Sequence, residues 1–311
     1  MKHRETIALI EAFLAIVLWG ISFIYVKIAL REISAITLIV LRYAAGTLLV
    51  GLVAWQRGDL ARLSCSDLPG LALAGAIGIT LQQLLQVSGQ VTADAGVAAF
   101  LAATAPAFTV LLAAACLRER LHWWQLIGVG LASLGGMTVA IGGDLNALDG
   151  EQGWRTLPGN ILILLSAVVW AVFIILSKGL VRHRPTTLVT TGMFLFGTLF
   201  TLPLFWFEKG WLELSHLTTD GWWAMFYVTV LSTAMAYLLN SHALKIISAS
   251  RVAVIQNLEP LIAVVAATLI LDESMSWVMV GGGAAILAGV FLAERPAPMA
   301  VRVTACPQTV D

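Results

Sequence analysis

Charged residues are scarce in this sequence. Asp, Glu, Lys and Arg make up only 12% of it, whereas hydrophobic residues make up 59%. Soluble domains carry about twice that share of charge, so the composition excludes an ordinary soluble protein and fits a chain surrounded by lipid. Acidic and basic residues balance at 18 each and no basic tract occurs, so we expect no nucleic-acid partner.

Cysteine and catalytic motifs are also scarce. The three cysteines, Cys65, Cys116 and Cys306, form no Cys-x-x-Cys pair, so neither a disulfide framework nor a zinc site is predicted. The sequence has no phosphate-binding Gly-x-x-x-x-Gly-Lys-Ser/Thr loop, no Gly-x-Ser-x-Gly and no His-Glu-x-x-His. An ATP-driven pump and the common hydrolases are therefore disfavoured, and we predict no catalytic residue, no cofactor and no metal.

Long apolar stretches dominate the chain instead. A helix needs about 20 mostly apolar residues to cross roughly 30 Å of hydrocarbon. Ten stretches meet this need, at residues 7–30, 36–55, 68–86, 93–117, 123–141, 159–181, 188–207, 221–240, 249–271 and 275–293. We therefore predict an all-α integral membrane protein with ten transmembrane helices, and the lipid bilayer is its first expected partner.

Lys and Arg are distributed unevenly between the two ends of these spans. Both termini and alternate loops carry eleven of them, whereas the other loops carry only Arg31, Arg155 and Lys209. Basic residues favour the cytoplasmic side of a membrane. This distribution predicts that both termini lie in the cytoplasm.

The second half of the sequence repeats the first. The matched pairs are Pro106 and Pro260, Glu119 and Glu273, Trp123 and Trp277, Gly128 and Gly282, and Gly135 and Gly289, each 154 positions apart. The first spans align at a separation of 151, which matches Trp19 with Trp170. Because each copy has five spans, the second copy enters the membrane from the opposite side, as in many secondary transporters.

The repeat also predicts the domain organisation. The expected units are a first five-helix repeat at 5–142, an outer loop at 143–157, a second five-helix repeat at 158–294 and a cytoplasmic tail at 295–311.

Several short motifs within the repeats carry a resemblance to a known family. They are Trp19-Gly20 with Lys27, Leu41-Arg42, Pro106 with Leu117-Arg118-Glu119-Arg120, Ser248-Ala249-Ser250-Arg251, Leu258-Glu259-Pro260 and Leu271-Asp272-Glu273. The chain resembles the drug/metabolite transporter superfamily, with two EamA-type repeats. The resemblance covers roughly residues 5–293, and it implies a ten-helix exporter or permease that moves small metabolites such as amino acids across the cytoplasmic membrane.

Glu259 is the most informative polar residue within a predicted span. It lies about eleven residues into span nine, near the middle of the membrane, where ionisable groups are costly and mark functional sites. Pro260 follows it and removes a backbone donor, and Gln256 and Asn257 precede it. The set either binds a substrate amine or a proton, or forms a structural hydrogen bond to a neighbouring span.

Spans three and eight contain a second polar set. Gln83 and Gln86 lie one turn apart, and the repeat matches them with Tyr237 and Asn240. These side chains either line a shared cavity or join neighbouring helices by hydrogen bonds.

Span one adds Trp19, whose repeat partner is Trp170. Trp19 is too deep for an interfacial belt, so it either faces the substrate path, where it could stack on a ring or cation, or fills the helix packing. Spans 1, 3, 4, 6, 8 and 9 are expected to form the cavity.

For the remaining charged residues within or near spans, the sequence leaves more than one role open. Arg42 binds a substrate carboxylate, pairs with Glu32 or lies in a tilted span, and Glu11 either relays protons or reaches water at the cytoplasmic end. Lys27 lies near a helix end, from which its side chain can extend to the membrane surface. Glu273 follows span nine and is expected in an interfacial turn.

Spans five and ten are rich in glycine. Small residues allow helices to approach closely, so these spans are expected to form packing surfaces and to offer a contact for a homodimer.

Together, these features predict a secondary transporter that exports a small-molecule substrate by alternating access. An uptake permease, an intramembrane enzyme and a channel are the alternatives.

Overall fold

The helices of this protein are seen in a computed structural model, which describes residues 2–117, 122–140, 151–243, 246–247, 252, 255–273 and 275–293. The helices are α1 Lys2–Ala29, α2 Ala35–Gln56, α3 Leu68–Gly75, α4 Gln82–Thr92, α5 Ala95–Ala102, α6 Ala105–Leu117, α7 Trp123–Ala140, α8 Glu151–His183, α9 Thr186–Phe207, α10 Thr219–Phe226, α11 Ala236–Ala243, α12 Glu259–Leu271 and α13 Trp277–Ala293. Glu119, Ser248–Arg251, most of the predicted outer loop and the tail lie outside the described residues.

Seven helical segments in this part of the chain are long and apolar enough to cross a membrane. They are Arg4–Ala29, Ala35–Gln56, Cys65–Thr92, Ala95–Leu112, Arg155–Ser177, Thr186–Phe207 and Thr219–Asn240. Many large apolar side chains are exposed on them, Leu48 at 74% and Phe207 at 87% among them, which is the surface that lipid tails require. The chain is thus an all-helical, multi-pass membrane protein.

Three predicted spans, five, nine and ten, are not among these seven segments. Span five is the 18-residue helix α7, and spans nine and ten are represented by the shorter apolar helices α12 and α13. Span nine is short because a turn at Asn257 and Leu258 ends the preceding helical segment just before α12 begins at Glu259. The sequence placed Pro260 within one continuous span at 249–271, whereas the structure has an interruption just before it.

The same interruption occurs in the first half of the chain. A turn at Ala103 and Thr104 separates α5 from α6, 154 positions before the turn at Asn257 and Leu258. Each turn is followed by a proline, which cannot donate the next helical hydrogen bond. Interrupted helices are a common source of polar backbone groups in transporter cavities.

A second backbone irregularity is also present in both halves. The helix widens to a π-helix at Ala76–Leu81, between α3 and α4, and at Tyr227–Met235, between α10 and α11. Adding 154 to the first segment gives 230–235, which lies within the second. The two halves also share a backbone hydrogen bond at positions 154 apart. Ala93 N–H donates to Gly89 O over 3.0 Å, and Ile247 N–H donates to Ala243 O over 2.9 Å.

The helices pack in pairs that correspond between the two halves. Two contacts join a helix to its own repeat partner, α2 to α9 and α7 to α13. The contact of α4 with α8 corresponds to that of α11 with α1, and the contact of α6 with α8 corresponds to that of α12 with α1. The buried apolar residues form two main clusters, one around α5, α7, α12 and α13 and the other around α2, α4 and α9. Helices α1 and α8 contribute to both, so they lie between the two clusters.

Glycines allow the close contact between α7 and α13. A Cβ at Gly128 would lie 2.5 Å from Gly289 O, and a Cβ at Gly135 would lie 2.5 Å from Gly282 O. The predicted packing surface is therefore used within one chain. A homodimer through these helices would need their other faces, where Gly130 and Gly281 have no described atom within 4 Å of a Cβ, and it stays a prediction.

The helix ends lie on two faces of the bundle. We call the face at which α1 begins the N-terminal face and the other the opposite face. On the opposite face, Ser34 N–H at the start of α2 donates to Glu213 over 2.8 Å. Thr218, at the start of α10, donates to Glu32 through its N–H over 2.7 Å and its hydroxyl over 2.6 Å. On the N-terminal face, Arg184 pairs with Asp67 at 3.0 Å.

The glycine contact yields a testable stability difference. Gly135→Ala should lower the free energy of unfolding by about 1–3 kcal/mol, because its methyl group would press on the backbone of α13. Gly130→Ala is the matched control on the same helix, and it should leave stability unchanged or slightly raised. Thermal unfolding of the detergent-purified variants measures both, and equal midpoints would contradict the packing.

Glu32 provides a second prediction, on pH. The hydrogen bond from the Thr218 hydroxyl, followed by that from its backbone N–H, holds the pKa of Glu32 below its ordinary value of 4.5. A folded-state pKa below the unfolded one stabilises the protein above pH 4.5, and this contribution disappears as the pH falls through the folded-state pKa. Glu32→Gln should therefore lower the melting temperature at pH 7 more than at pH 3.

The exposed Glu208 serves as the control for that experiment, and Glu208→Gln should change the melting temperature little at either pH. If Glu32→Gln had the same effect at pH 7 and pH 3, the proposed ionic contribution of Glu32 would be wrong.

Candidate functional site

A cavity of about 470 Å³ lies inside the bundle, between the two apolar clusters. Its volume suits a small metabolite. Its lining includes nine residues predicted as substrate-binding, which are Trp19, Gln83, Gln86, Trp170, Tyr237, Asn240, Gln256, Asn257 and Glu259. Arg42 lines it as well. The structure thus brings these ten predicted residues together from six different spans.

The two interrupted helices meet at this cavity. Ala102, Ala103 and Pro106 line it from the first interruption, and Gln256 and Glu259 line it from the second. Because proline has no N–H, the carbonyl oxygens four residues earlier, at Ala102 and Gln256, lose their helical donors. Residues whose carbonyl groups lack a helical donor thus line the cavity at both interruptions.

Glu259 occupies the first turn of α12, where the partial positive charge of a helix N-terminus favours a carboxylate. Helix α1 passes close to this turn because residue 20 is glycine. A Cβ at Gly20 would lie 2.9 Å from both Glu259 O and Ile262 Cγ2. The Trp19-Gly20 pair thus has two roles: the tryptophan lines the cavity and the glycine allows α1 to approach α12.

Amide side chains form a hydrogen-bonded row on α4. Gln83 Nε2 donates to Gln82 Oε1 over 2.7 Å, and Gln82 Nε2 donates to Gln86 Oε1 over 2.6 Å. At the end of this row, Gln83 Oε1 has no partner among the described residues, and neither does Asn240 Oδ1 across the cavity. Buried acceptors without a partner are costly, so these oxygens are suited to receive donors from a bound molecule.

Trp19 is held at the cavity by the π-helical segment of the second half. Its indole N–H donates to Ser232 O over 2.9 Å, and its ring contacts Tyr237 edge-on with centroids 5.5 Å apart. π-helical segments disturb the regular i to i−4 hydrogen bonding and often occur at functional sites. The sequence left open whether Trp19 packs or faces the cavity, and the structure shows that it does both.

Arg42 is the cationic side chain of the lining. Its Nε donates to the buried hydroxyl of Thr233 over 2.7 Å, which orients the guanidinium group beside the ring of Tyr43, 5.4 Å from its centroid. Pairing with Glu32, one of the alternatives left open for Arg42, does not occur, because Glu32 instead accepts hydrogen bonds from Thr218 on the opposite face. Within the described part of the chain, neither Arg42 nor Glu259 has an ion-pair partner.

Glu11 lies apart from this site. It does not line the cavity, and its carboxylate lies 2.7 Å from Nδ1 of His242, at the end of α11 on the N-terminal face. Of the two sequence interpretations, a residue near the water interface agrees better with this position than a relay at the cavity.

Spans two and seven were missing from the predicted cavity. Span two contributes Arg42 and Tyr43, and span seven contributes Thr186, Val189 and Thr190. The span-seven residues recur at helical spacing, which marks one face of a helix. Periodicity does not reveal which face meets the cavity, so only the packing of α9 could identify them.

The hydroxyl of Thr233 generates a testable prediction. Thr233→Val keeps the side-chain shape but leaves Arg42 Nε without its acceptor, which should cost about 1–3 kcal/mol of folding free energy. Thr233→Ser keeps the hydroxyl and should lie close to the parent protein. Thermal unfolding of the purified variants measures the difference, and equal stability of the Val and Ser variants would contradict this role.

Comparison with known proteins places this site in context. The EamA-like transporter family model matches residues 6–141 and again residues 157–295. An uncharacterized transporter of Archaeoglobus fulgidus is 25% identical over 91% of this chain and 96% of its own length. A probable terminal-alkyne amino-acid exporter of Streptantibioticus cattleyicolor is 29% identical over 91% of each chain. A probable amino-acid metabolite efflux pump of Salmonella typhimurium is 26% identical over 90% of this chain and 92% of its own.

A solved structure has the same fold. It aligns with a TM-score of 0.63 over 92% of this chain and 96% of its own, at 19% sequence identity, which shows the fold alone. The family model covers most of the chain, and the resemblance seen in the sequence motifs is confirmed. The chain belongs to the EamA-like transporter family.

Proposed function

We propose that this protein is a secondary transporter of the inner membrane that exports small metabolites such as amino acids by alternating access. One observation carries the proposal: a central cavity contains a cation, Arg42, and a carboxylate, Glu259, that form no ion pair with any described residue. Charged groups inside a membrane are retained where they serve a ligand or a coupling ion.

An amino acid matches the chemistry of this cavity. Its carboxylate can receive two parallel hydrogen bonds from a guanidinium such as that of Arg42, while its ammonium group can donate to Glu259. The unpartnered oxygens of Gln83 and Asn240 accept further donors. The aromatic rings of the lining, Trp19 among them, suit an apolar side chain.

The proposed membrane topology has ten spans in two inverted five-span units, 5–142 and 158–294, joined by an outer loop at 143–157. The helix interruptions and π-helical segments 154 positions apart support it, as do the corresponding helix pairs. The Lys and Arg distribution supports cytoplasmic termini, with the tail at 295–311 inside, so the N-terminal face is cytoplasmic.

The relatives favour export over uptake. Two of them are named as an amino-acid exporter and an amino-acid metabolite efflux pump. An uptake permease would use the same cavity in the other direction, so it is the alternative that the experiment must separate. The named relatives are transporters, and the intramembrane enzyme considered from the sequence is not proposed.

Growth inhibition by a panel of amino acids and toxic analogues tests the function, with and without overexpression of the protein. Export predicts protection against one chemical group. Glu259→Gln should reduce that protection by roughly 10-fold or more, since a hydrogen bond to a charged group contributes about 1.5–3 kcal/mol. The exposed carboxylate variant Glu208→Gln is the matched control, and membrane abundance of each variant is measured in parallel.

Each outcome of the panel decides something. Increased sensitivity on overexpression would identify uptake. Unchanged protection in Glu259→Gln, at equal abundance, would remove Glu259 from the binding site. No difference across the whole panel would contradict amino acids as the substrate class.

A further inference from the structure

The turn between α4 and α5 is held by opposite charges from two other helices. Lys27 of α1 donates from Nζ to Ala93 O over 2.5 Å and to Gln90 O over 3.1 Å. Glu273, which follows α12, accepts from Ala95 N–H over 2.9 Å and from Gly96 N–H over 3.1 Å. The sequence suggested that the Lys27 side chain can extend to the membrane surface, and in the structure its ammonium group donates to backbone carbonyls of this turn.

Each charge faces the helix end that it stabilises. Carbonyl oxygens at the C-terminus of α4 carry partial negative charge and face the ammonium group of Lys27. Backbone N–H groups at the N-terminus of α5 carry partial positive charge and face the carboxylate of Glu273. Both side chains are half-buried, which limits screening of these contacts by water. The turn is thereby fastened to α1 on one side and to the end of α12 on the other.

These contacts border the cavity lining on the opposite face. Gln90 lines the cavity with 2% of its surface exposed, and its carbonyl is one of the acceptors of Lys27. Val26, the residue before Lys27, also lines the cavity and is 3% exposed. On the N-terminal face, by contrast, the lining includes Thr186, an exposed residue at the start of α9. The cavity therefore has its buried end beneath the Lys27 and Glu273 contacts.

We propose that Lys27 and Glu273 form a latch that holds the cavity closed on the opposite face, and that the latch must open for a molecule to leave on that side. The proposal rests on the proposed transport function, because only a transporter needs the exit. It adds the residues that control access on one face. The contacts are to backbone atoms at two helix ends, so they can break when the turn between α4 and α5 moves away from Lys27 and Glu273.

Accessibility of a cysteine in the cavity tests the latch without any substrate. Cys65, Cys116 and Cys306 are replaced by serine, and Ser22→Cys supplies a nearly isosteric reporter that lines the cavity. Membrane-impermeant maleimide is added to sealed vesicles of each orientation. Labelling from the opposite face should be slow in the parent protein, and Lys27→Met and Glu273→Gln should each raise it roughly 5-fold or more, the low end of usual coupling between sites.

Control variants separate the latch from a general loss of folding. Lys27→Arg keeps a cation that can reach carbonyls and should label close to the parent rate. Lys178→Met removes the lysine at the matching position of the second repeat, and Arg31→Met removes an exposed cation near the end of α1. Neither should raise labelling from the opposite face.

The labelling results decide the proposal. Unchanged opposite-face labelling in both Lys27→Met and Glu273→Gln would overturn it, and so would an equal rise in Arg31→Met. A rise confined to the two latch variants would support it even if the growth panel detected no export, so failure of the transport function is distinguishable. If the growth panel detects export but labelling from the opposite face is unchanged in both latch variants, the transport proposal stands and only the latch is overturned.

Discussion

The structure depends on one constraint: backbone polar groups cannot face hydrocarbon. Continuous helices meet this constraint along the lipid-facing surface. The turns before Glu259 and after Ala102, where helical hydrogen bonding is interrupted, and the π-helical segment Ala76–Leu81 contribute residues to the cavity wall. A hydrogen bond from the Trp19 indole to Ser232 O shows how an irregular backbone is satisfied from within the protein. Backbone irregularities that would be costly in lipid therefore lie beside the cavity, where the protein itself can satisfy their polar groups.

Close approach of helices is the second requirement, and glycine provides it. Gly20 lets α1 reach the turn that holds Glu259, and Gly135 lets α7 contact α13 at the edge of the bundle. The first contact builds the cavity wall, whereas the second forms a rigid pair of helices beside it. Hydrogen bonds also fix the charged side chains. Arg42 donates to Thr233, Lys27 donates to backbone carbonyls, and Glu273 accepts from backbone N–H groups at a helix end. The cavity thus has a wall formed by closely packed helices, an oriented Arg42 and, on the opposite face, a turn bound by Lys27 and Glu273.

Sequence patterns predicted the class of protein and most of the candidate lining. Apolar runs identified the spans, and the rarity of polar groups within them made Glu259, Gln83 and Asn240 conspicuous. The same reasoning missed Thr190, because a threonine in a span has no distinctive pattern when it lies among similar residues. It also left open whether Arg42 pairs with Glu32, whereas the fold brings Arg42 to Thr233 on another helix.

Composition and periodicity by themselves determined that the chain is a helical membrane protein, and the repeat of residues 154 positions apart, together with the motifs, identified its family. Both follow from local chemistry, because burial in lipid restricts residue types position by position. The tertiary structure alone decided which helix faces meet, where the helices are interrupted, and that Lys27 and Glu273 bind the same turn. Those features depend on contacts between residues far apart in sequence, and no local pattern encodes which distant backbone atoms a charged side chain will reach.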